Sequence, residues 1–459
     1  MKLAILGYGA EGKSVEKYFK THPYDNVSPK DIDITVFSEF KDEEIDKLGL
    51  EKFDVVFRSP SVRPHYNYTE HDKEENKLES SYLKNKPYWT SATKYFFSHC
   101  PAEIISITGT KGKGTTCSMT TALIKSINEQ LYSPEDRPNT FLVGNIGIPP
   151  LDVLDQITEH DNVIYEMSSF QLWDMHDSST VSVILRIEPD HLNVHKDFEE
   201  YTYAKAALSR YKSPDEFLIY YRDNPVTAKI AEASPAKKLS YPITESSNKI
   251  SSKAANRLAS LLDHLNVPGK HNRENAEAAL LAVAARFFNG DLELMLSSEI
   301  YPALEKGLTN YQGLPHRCQF LREFNNVKYY DDNYSTAFPA LDVALNAFPD
   351  SKIVLIAGGQ TKGADDVIKK RIFATPNLEK AILIGSTKEY LAEGENPMRY
   401  ELAETLDDAF SRARTAAEKI ATKKHPSVVL MSPGFASFDM FKSYGQRGEL
   451  FSKLVENLK

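Results

Sequence analysis

The sequence predicts an α/β protein built from three consecutive units, each on a mostly parallel sheet. Short apolar runs typical of buried strands recur along the 459 residues, and the clearest of them end in glycine-rich or small-residue turns. Segments with helical periodicity follow several of these turns. A chain of this length also has room for about three domains. We therefore expect domains at residues 1–98, 99–312 and 313–459.

The first unit begins with a strand, a glycine-rich turn and a helix. The turn is the segment GYGAEG at residues 7–12. Strands are predicted at residues 2–6, 32–37 and 54–57, and a helix at residues 14–20. This order is Rossmann-like, and Glu39 could bind the ribose of a dinucleotide. We favour another phosphorylated ligand, and the remaining alternative is a turn that uses glycine only for packing. The charged segment 69–85 is predicted to be a solvated helix or loop.

The second unit opens with the most informative segment of the chain, SITGTKGKGTT at residues 106–116. It follows an apolar run and precedes a segment compatible with a helix, so its backbone N–H groups and the helix N-terminus can bind a phosphate. Lys113 would reach the outer phosphates, and the hydroxyls of Thr115 and Thr116 could bind Mg²⁺. The segment differs from the generic P-loop pattern, because Gly114 stands where Ser or Thr is expected. The prediction is a central P-loop ATPase-like domain, and the alternative is an ordinary glycine-rich turn.

Other polar side chains follow neighbouring strands of this predicted sheet. Strands are predicted at residues 163–165 and 181–185, and helices at residues 201–210 and 272–288. Glu166 follows the first of these strands, where a carboxylate can hold Mg²⁺ beside a triphosphate, and His191 follows the second. Asn145 lies in a glycine-rich loop, where its amide could bridge substrate oxygens. Each has a plainer interpretation, namely a surface carboxylate, an isolated histidine and a loop amide.

The third unit is predicted to be a second Rossmann-like α/β domain. Its strands are expected at residues 352–357, 381–384 and 427–431, and each ends in a small-residue turn. Ligands are expected at such strand ends. The segment LPHR opens the unit, and its Arg317 could bind a γ-phosphate from a different domain or form a salt bridge at a hinge.

Composition excludes several classes of function. The net charge of −9 argues against a protein that wraps nucleic acid, so local basic groups must bind any anionic substrate. No uncharged apolar stretch approaches about 18 residues, which argues against a membrane segment. Cys100, Cys117 and Cys318 are far apart in the sequence, as expected for reduced thiols in the cytoplasm. We expect a cytoplasmic monomer with neither a nucleic-acid nor a membrane partner.

An ordered set of motifs resembles the Mur ligase family of peptidoglycan synthesis, and the resemblance runs through all three units. TGTKGKGTT at residues 108–116 is similar to the family's TGTNGKSTT loop. Further similar segments are GNIG at 144–147, EMSSFQL at 166–172, DH at 190–191, AK at 204–205, GKHNREN at 269–275, LPHR at 314–317, SPGFASFD at 432–439 and QRG at 446–448. An ordered set of this kind is far more specific than any one motif.

The resemblance implies an ATP-dependent ligase that forms an amide bond. In that family the first domain binds the uridine diphosphate of the substrate, the middle domain ATP and the last domain the amino acid. ATP would convert a substrate carboxylate into an acyl phosphate, which the amine of the amino acid then attacks. The nearest pattern is that of the ligases that add D-glutamate to UDP-N-acetylmuramoyl-L-alanine. The alternatives are a Mur-type ligase with another acceptor, a nucleotide-binding regulatory protein without turnover and, with least support, a dehydrogenase.

The resemblance also implies a role for each matching residue. The ATP-binding residues would be Gly109, Thr110, Lys111, Gly112, Lys113, Gly114, Thr115, Thr116, Asn272, Asn275, Arg317 and Asp332. The catalytic residues would be Lys113, Glu166, His191 and Lys205, and the ligands of two Mg²⁺ ions would be Thr115, Glu166, His191 and a carbamylated Lys205. The UDP substrate would contact Gly7, Gly9, Ser59, Asn145, Ser168 and Gln171, and the amino acid Thr336, Ser437, Phe438 and Tyr444. The plainer interpretation of Lys205 is a solvated lysine on a helix.

Several positions depart from the family pattern. Gly114 removes a hydroxyl from the expected magnesium site, so Thr115 must compensate. Tyr334 stands where the family has a lysine that would pair with a glutamate carboxylate, and a phenol supplies no positive charge. Tyr444 stands where phenylalanine is expected. D-glutamate is therefore the first acceptor to test, and another amino acid stays open.

Overall fold

Three sheets and the helices around them form the protein in the computed structural model, which describes residues 1–64, 87–361, 363 and 365–459. The predicted α/β class with mostly parallel sheets is confirmed. The charged segment predicted at residues 69–85 lies outside the described residues. The chain forms two compact units, of which the first contains Met1–Ser260 and Glu274–Gly307 and the second Leu261–Arg273 and Leu308–Lys459. The three domain boundaries expected from the sequence stay a proposal.

The first sheet has four parallel strands in the order β2-β1-β3-β4. The strands are β1 (Lys2–Leu6), β2 (Asp33–Phe37), β3 (Val55–Arg58) and β4 (Tyr88–Thr90). The α-helices are Ala10–Phe19 and Ala92–His99, and the 3₁₀ helices are Pro29–Asp31, Asp42–Lys47 and Leu50–Lys52. Gly7 has φ +82°, and a Cβ atom there would lie 3.0 Å from the Cβ atom of Ser59. The turn after β1 therefore requires glycine.

The second sheet has six parallel strands in the order β10-β9-β8-β5-β7-β6. The strands are β5 (Glu103–Thr108), β6 (Thr140–Gly144), β7 (Asn162–Glu166), β8 (Val181–Ile184), β9 (Phe217–Tyr221) and β10 (Lys237–Tyr241). The α-helices before β11 are Lys113–Leu131, Phe198–Lys205, Ala207–Arg210, Pro225–Ala233, Glu245–Asn248, Ser252–Asp263, Lys270–Phe288, Leu292–Ser297 and Tyr301–Thr309, and the 3₁₀ helices are Pro150–Asp152 and Leu154–Gln156. Since β5 lies between β7 and β8, the loops after these three strands meet at one edge of the sheet.

The third sheet has the order β11-β12-β16-β13-β14-β15, and only the β11–β12 pair is antiparallel among its described strands. The strands are β11 (Gln319–Phe324), β12 (Val327–Asp331), β13 (Ile353–Gly358), β14 (Leu378–Ile384), β15 (Tyr400–Leu402) and β16 (Ser427–Met431). The helices are Phe338–Asn346, Asp365–Phe373, Lys388–Ala392, Leu406–Ile420, Tyr444–Glu456 and the 3₁₀ helix Pro397–Arg399. Successive residues of β13 alternate between two apolar clusters, so both faces of this sheet are covered.

A buried ion pair connects the end of β3 with the loop after β7. Arg58 is 2% exposed and Asp174 8% exposed. The Arg58 Nε atom donates to Asp174 Oδ2 over 3.0 Å, and its NH2 group also donates to the Asp174 carboxylate and to the Phe170 carbonyl. Burial alone would raise the pKa of the Asp174 carboxyl, but the charge and hydrogen bonds of Arg58 hold this pKa below its usual value.

Removing one partner of this pair should strongly destabilise the fold. We expect Arg58→Ala to lower the free energy of unfolding by about 3–5 kcal/mol, because Asp174 would be left buried without its cation. Urea unfolding followed by circular dichroism measures the change in the free energy of unfolding. The double variant Arg58→Met/Asp174→Leu is the control and should recover most of the loss. Equal losses in the single and double variants would contradict this explanation.

Among the helices of the described residues, none combines the length and the apolar character that a membrane span needs.

Candidate active site

The glycine-rich turn after β5 has the predicted strand–turn–helix geometry. Gly109 has φ +151°, and a Cβ atom there would lie 2.6 Å from the Cβ atom of Leu185. Gly112 has φ +86° and is the N-cap of the Lys113–Leu131 helix. A Cβ atom on Gly112 would lie 2.6 Å from the side-chain oxygen of Asn275. Only glycine fits these two positions, and the helix N-terminus that follows is suited to an anion.

The side chains of the turn divide into two groups. Lys113 is half-buried, and its Nζ atom donates to the carbonyls of Gly109 and Thr110 over 3.0 and 3.1 Å. Thr115 is also half-buried, whereas Lys111 is exposed. Thr110 and Thr116 instead support the turn. The Thr110 hydroxyl donates to the Glu188 carbonyl over 3.0 Å, and the Thr116 hydroxyl donates to Asn275 over 3.3 Å. Unlike these two threonines, Lys113 and Thr115 keep partly exposed side chains.

Glu166 presents a buried carboxylate beside this turn. It is the last residue of β7, pairs in register with Ile107 of β5 and is 4% exposed. Its Oε1 atom accepts a hydrogen bond from the Asn145 amide over 2.8 Å. Its buried Oε2 atom has no hydrogen-bond partner among the residues that the structure describes. A buried carboxylate oxygen without a donor is suited to a cation or a proton donor.

The Gly144–Gly147 loop is held tightly against the end of β7. A Cβ atom on Gly144 would lie 2.4 Å from the Glu166 carbonyl oxygen. The Asn145 N–H group donates to that same carbonyl over 3.0 Å. Asn145 therefore binds Glu166 through both its backbone and its side chain. Asn145, which we expected to bind the substrate, thus positions Glu166, which we expected to bind the metal ion.

The Lys205 side chain is buried and contacts a backbone carbonyl of the glycine turn. It ends the Phe198–Lys205 helix and is 1% exposed. Its Nζ atom donates to the Gly109 carbonyl over 2.8 Å and to the Thr108 hydroxyl over 3.4 Å. Burial, reinforced by the charge of Lys113, lowers the pKa of Lys205 well below its ordinary value. The interpretation of Lys205 as a solvated helix lysine is therefore wrong.

His191 and a second histidine lie in the loop after β8. The His191 side chain is half exposed, its backbone has φ +53°, and its Nε2 atom is 3.8 Å from Asp190. His195, which the sequence did not single out, is 2% exposed and stacks on Phe170 with a centroid distance of 5.2 Å. Its Nε2 atom is 2.9 Å from the Ser169 hydroxyl. Burial lowers the pKa of His195 to about 4, so its imidazole is neutral at neutral pH.

The loop after β7 also meets the first sheet's glycine turn. Gln171 accepts hydrogen bonds from the N–H and hydroxyl groups of Ser168 over 2.8 and 3.0 Å. Its amide donates to Glu11 over 2.6 Å. Burial raises the pKa of the Glu11 carboxyl to about 7. The structure thus brings Ser168 and Gln171 together with the turn that contains Gly7 and Gly9. Ser59 contacts the same turn, because its hydroxyl donates to the Gly7 carbonyl over 2.8 Å.

The two asparagines predicted to contact adenine lie on one helix, Lys270–Phe288. Asn275 contacts the phosphate turn through Thr116 and Gly112, as described above. Asn272 lies in the preceding turn of the helix, and its amide donates to the Pro268 carbonyl over 2.7 Å. Asn275 belongs to the compact unit that contains the phosphate turn, and Asn272 belongs to the other unit.

The predicted site residues of the third sheet gather after β12 and β16. Asp332 is 8% exposed and accepts hydrogen bonds from the Cys318 N–H and the Ser432 hydroxyl over 3.0 and 2.7 Å. Burial raises the pKa of the Asp332 carboxyl to about 7. The predicted amino-acid-binding residues at these strand ends are half-buried Thr336, buried Ser437 and exposed Phe438 and Tyr444. Arg317 is exposed, with its guanidinium 5.2 Å from the centroid of the Tyr334 ring.

No group of three or more His, Cys, Asp or Glu side chains with metal-binding geometry occurs in the described ranges. Mg²⁺ is commonly held by one or two protein groups together with substrate phosphates and water. The unpartnered oxygen of Glu166 and the hydroxyl of Thr115 fit such a donor set.

Comparison with known proteins identifies the family of this chain. Residues 107–283 match the model of the Mur ligase middle domain. The chain is 30% identical over 484 residues to the UDP-N-acetylmuramoylalanine--D-glutamate ligase of Clostridium kluyveri, covering 100% of this chain and 97% of that protein. The ligase of the same name from Ruminiclostridium cellulolyticum is 30% identical over 489 residues, with the same two coverages.

Solved structures share the fold at lower sequence identity. A UDP-N-acetylmuramoyl-L-alanyl-D-glutamate--2,6-diaminopimelate ligase superposes with a TM-score of 0.52 at 16% identity, covering 80% of this chain and 82% of that chain. A UDP-N-acetylmuramoylalanyl-D-glutamyl-2,6-diaminopimelate--D-alanyl-D-alanyl ligase from Acinetobacter baumannii superposes with a TM-score of 0.51 at 18% identity, covering 80% and 78%.

Proposed function

Since this chain belongs to the Mur ligase family and is an ATP-dependent ligase that forms amide bonds, we propose that it adds D-glutamate to UDP-N-acetylmuramoyl-L-alanine. The product would be a precursor of peptidoglycan. The substrate carboxylate would be activated as an acyl phosphate, and the amine of the amino acid would displace the phosphate. We further propose that the enzyme acts as a monomer in the cytoplasm. All three cysteines are free thiols, as expected in a reducing compartment.

One observation carries the chemical part of this proposal. A buried carboxylate, Glu166, ends the strand next to a phosphate turn that contains Lys113, and one of its oxygens lacks a donor within the described residues. A turn for phosphates and a carboxylate for their metal ion are what phosphoryl transfer from ATP requires. The similarity along the whole chain to D-glutamate ligases supports the choice of acceptor.

We propose that Glu166 and Thr115 hold one Mg²⁺ ion with the phosphates, and that His191 and a carbamylated Lys205 hold a second. Bound Mg²⁺ would reduce the repulsion between the substrate carboxylate and the γ-phosphate. The residues of the chain do the rest. The amides of the turn and Lys113 bind the phosphates and stabilise charge that develops during transfer. Asn145 keeps Glu166 oriented, and Asn275 supports the turn from its outer side.

Loss of Lys205 should be partly repaired by small acids if its carbamate is the functional group. Burial lowers the pKa of Lys205, which favours the uncharged amine that can react with carbon dioxide. We expect Lys205→Ala to lower kcat by about 100-fold and added acetate or propionate to restore part of the activity. In ¹³C-bicarbonate, a carbamate NMR signal should be present in the native protein and absent from the variant. Lys212→Ala is the control, since Lys212 is also buried and its pKa is lowered to about 8. Two results together would contradict the carbamate. They are a folded Lys205→Ala protein that does not respond to added acids and a native protein that gives no carbamate signal.

The proposed function is tested by ATP-dependent phosphate release. Purified protein is mixed with ATP, Mg²⁺ and UDP-N-acetylmuramoyl-L-alanine, and with a panel of D- and L-amino acids. We expect release with D-glutamate and formation of the corresponding amide. Release with another amino acid alone would replace D-glutamate by that acceptor. ATP binding without release in any mixture would instead favour a regulatory nucleotide-binding protein.

A different acceptor is the second candidate, and one observation favours it. Tyr334 occupies the position where the family pattern has a lysine, and it is 41% exposed at the end of β12. A phenol can donate a hydrogen bond but cannot neutralise a carboxylate. The amino-acid panel separates this candidate from the first.

A further inference from the structure

A histidine–aspartate pair joins the LPHR turn at residues 314–317 to the last residue of β12. The His316 Nδ1 atom lies 2.7 Å from Asp331 Oδ2. The His316 side chain is 18% exposed, and that of Asp331 is 0% exposed. A carboxylate only accepts hydrogen bonds, so the imidazole donates its Nδ1–H to Asp331. The bond is charge-assisted and largely shielded from water.

Each partner of this pair directly precedes a residue that we predict to bind ATP. Arg317 follows His316, and Asp332 follows Asp331. A second contact joins the same two segments, because the Cys318 N–H group donates to Asp332 Oδ1 over 3.0 Å. The two bonds together fix the backbone that carries Arg317 against the backbone that carries Asp332.

The backbone of His316 has a conformation that few side chains adopt. Its φ angle is +61°, in the left-handed region. The His316 N–H group donates to the Gln319 side chain over 3.2 Å, and its carbonyl accepts a hydrogen bond from the Tyr334 N–H group over 3.0 Å. A left-handed residue other than glycine persists where surrounding contacts hold it. The bond from the ring to Asp331 is one of these contacts.

The last helix leaves room for the His316 ring because residue 448 is glycine. Gly448 lies in the helix Tyr444–Glu456, and a Cβ atom there would lie 2.3 Å from His316 Nδ1. One turn later in this helix, the Ser452 hydroxyl donates to Asp331 Oδ2 over 3.4 Å. The helix therefore packs against both partners of the pair.

Negative charge faces the imidazole from two elements, β12 and the last helix. The hydrogen bond with Asp331 raises the pKa of His316 above its ordinary value, and the charges of Asp331 and Glu449 act in the same direction, whereas burial opposes them. The Tyr334 ring is also near, with its centroid 6.2 Å from that of the imidazole. The surroundings of the ring therefore favour the imidazolium form.

We propose that the His316–Asp331 pair positions Arg317 relative to Asp332 and so prepares Arg317 to bind the γ-phosphate of ATP, an inference that rests on the proposed ligase function. A guanidinium binds phosphate oxygens through a rigid fork, so a displaced turn weakens the contact. His316 touches neither nucleotide nor metal ion in this proposal. It is a positioning residue that acts through Arg317.

The first test compares two substitutions that both tolerate the left-handed backbone, His316→Asn and His316→Gly. The asparagine amide can still donate to Asp331, whereas glycine leaves that carboxylate without this donor. We expect kcat/KM for ATP to fall about 10-fold or more in His316→Gly and less than about threefold in His316→Asn. The Kd for ADP, which lacks the γ-phosphate, should change less than about twofold in both variants.

A double-mutant cycle tests whether His316 acts through Arg317. In an Arg317→Ala protein, the further change His316→Gly should lower kcat/KM for ATP by less than about twofold. Gly448→Ala should reproduce the loss seen in His316→Gly, because its methyl group displaces the ring from Asp331. His425→Asn is the matched control, since His425 is exposed and lies in the same compact unit. It should leave every constant unchanged.

NMR titration of the imidazoles tests the pair itself. The His316 signal is assigned by its loss in His316→Asn. It should titrate above the ordinary histidine pKa in the native protein and at lower pH in Asp331→Asn. An unchanged His316 titration in Asp331→Asn overturns the inference, even where His316→Gly does not fold.

The outcomes separate this inference from the proposed function. D-glutamate-dependent phosphate release with native kcat/KM for ATP in a folded His316→Gly protein overturns the inference and leaves the ligase intact. Equal losses for ATP and ADP, or losses that add to those of Arg317→Ala, also overturn it. Absence of phosphate release by the native protein with every amino acid overturns the ligase function and the inference with it.

Discussion

Replacing Lys113 with alanine is expected to lower kcat for ATP-dependent amide formation by about 10³-fold or more. The Lys113 ammonium lies over the glycine turn, 3.0 and 3.1 Å from two of its carbonyls, at the start of the helix that would face the phosphates. A charge in this position opposes the negative charge that develops on the phosphoryl group during transfer. Single-turnover phosphate release measures the chemical step without product release.

The control for Lys113 comes from the same helix. Lys125 is exposed and lies farther along Lys113–Leu131, so Lys125→Ala should keep nearly all activity. Thermal unfolding of both variants tests whether the helix is intact. A folded Lys113→Ala protein that retains more than about a tenth of the native rate would contradict the role of Lys113 in phosphoryl transfer.

The substitution Glu166→Gln should have the second largest effect and should act through the metal ion. Glutamine keeps the shape of the side chain and can still accept the hydrogen bond from Asn145, but it removes the negative charge. We expect kcat at low Mg²⁺ to fall by about 100-fold and to recover in part at high Mg²⁺. Electron paramagnetic resonance of Mn²⁺ with ADP measures metal binding directly and should show weaker binding in the variant.

A glutamate outside the site is the control for Glu166. Glu159 lies before β7 and its side chain is 78% exposed, so Glu159→Gln should change neither metal binding nor rate. A Glu166→Gln variant with native Mn²⁺ binding and a native Mg²⁺ dependence would exclude this carboxylate as a metal ligand.

Much of the fold could be predicted because buried parallel strands are short apolar runs. The strand predicted at residues 352–357 is observed as Ile353–Gly358, and the one at residues 54–57 as Val55–Arg58. Helix boundaries were less predictable. The first helix begins at Ala10 rather than at residue 14, because residues of the glycine-rich turn form its first turn. In the polar segment 223–256 we expected strands and loops whose order the sequence did not predict, and the structure has β10, two complete helices and the start of a third there.

The candidate site was partly predictable for a topological reason. Glu166 and His191 follow strands that flank β5, and parallel strands bring their C-terminal ends to one edge. The burial of Lys205 could not be foreseen, since it depends on how its helix packs against the glycine turn. Glu11 and His195 were missed for the same reason. Glu11 meets Gln171 across 160 residues of sequence, and His195 is recognised only by its stacking on Phe170.

The central claim is that ATP activates a carboxylate of the substrate by phosphorylating it. It is tested most directly with UDP-N-acetylmuramoyl-L-alanine whose alanyl carboxylate contains ¹⁸O. The protein, ATP, Mg²⁺ and D-glutamate are added, and the released phosphate is examined by mass spectrometry. The account predicts that an ¹⁸O atom passes from the carboxylate to inorganic phosphate in each turnover, because the acyl phosphate breaks at its acyl carbon. Amide formation with phosphate that contains no ¹⁸O would contradict it.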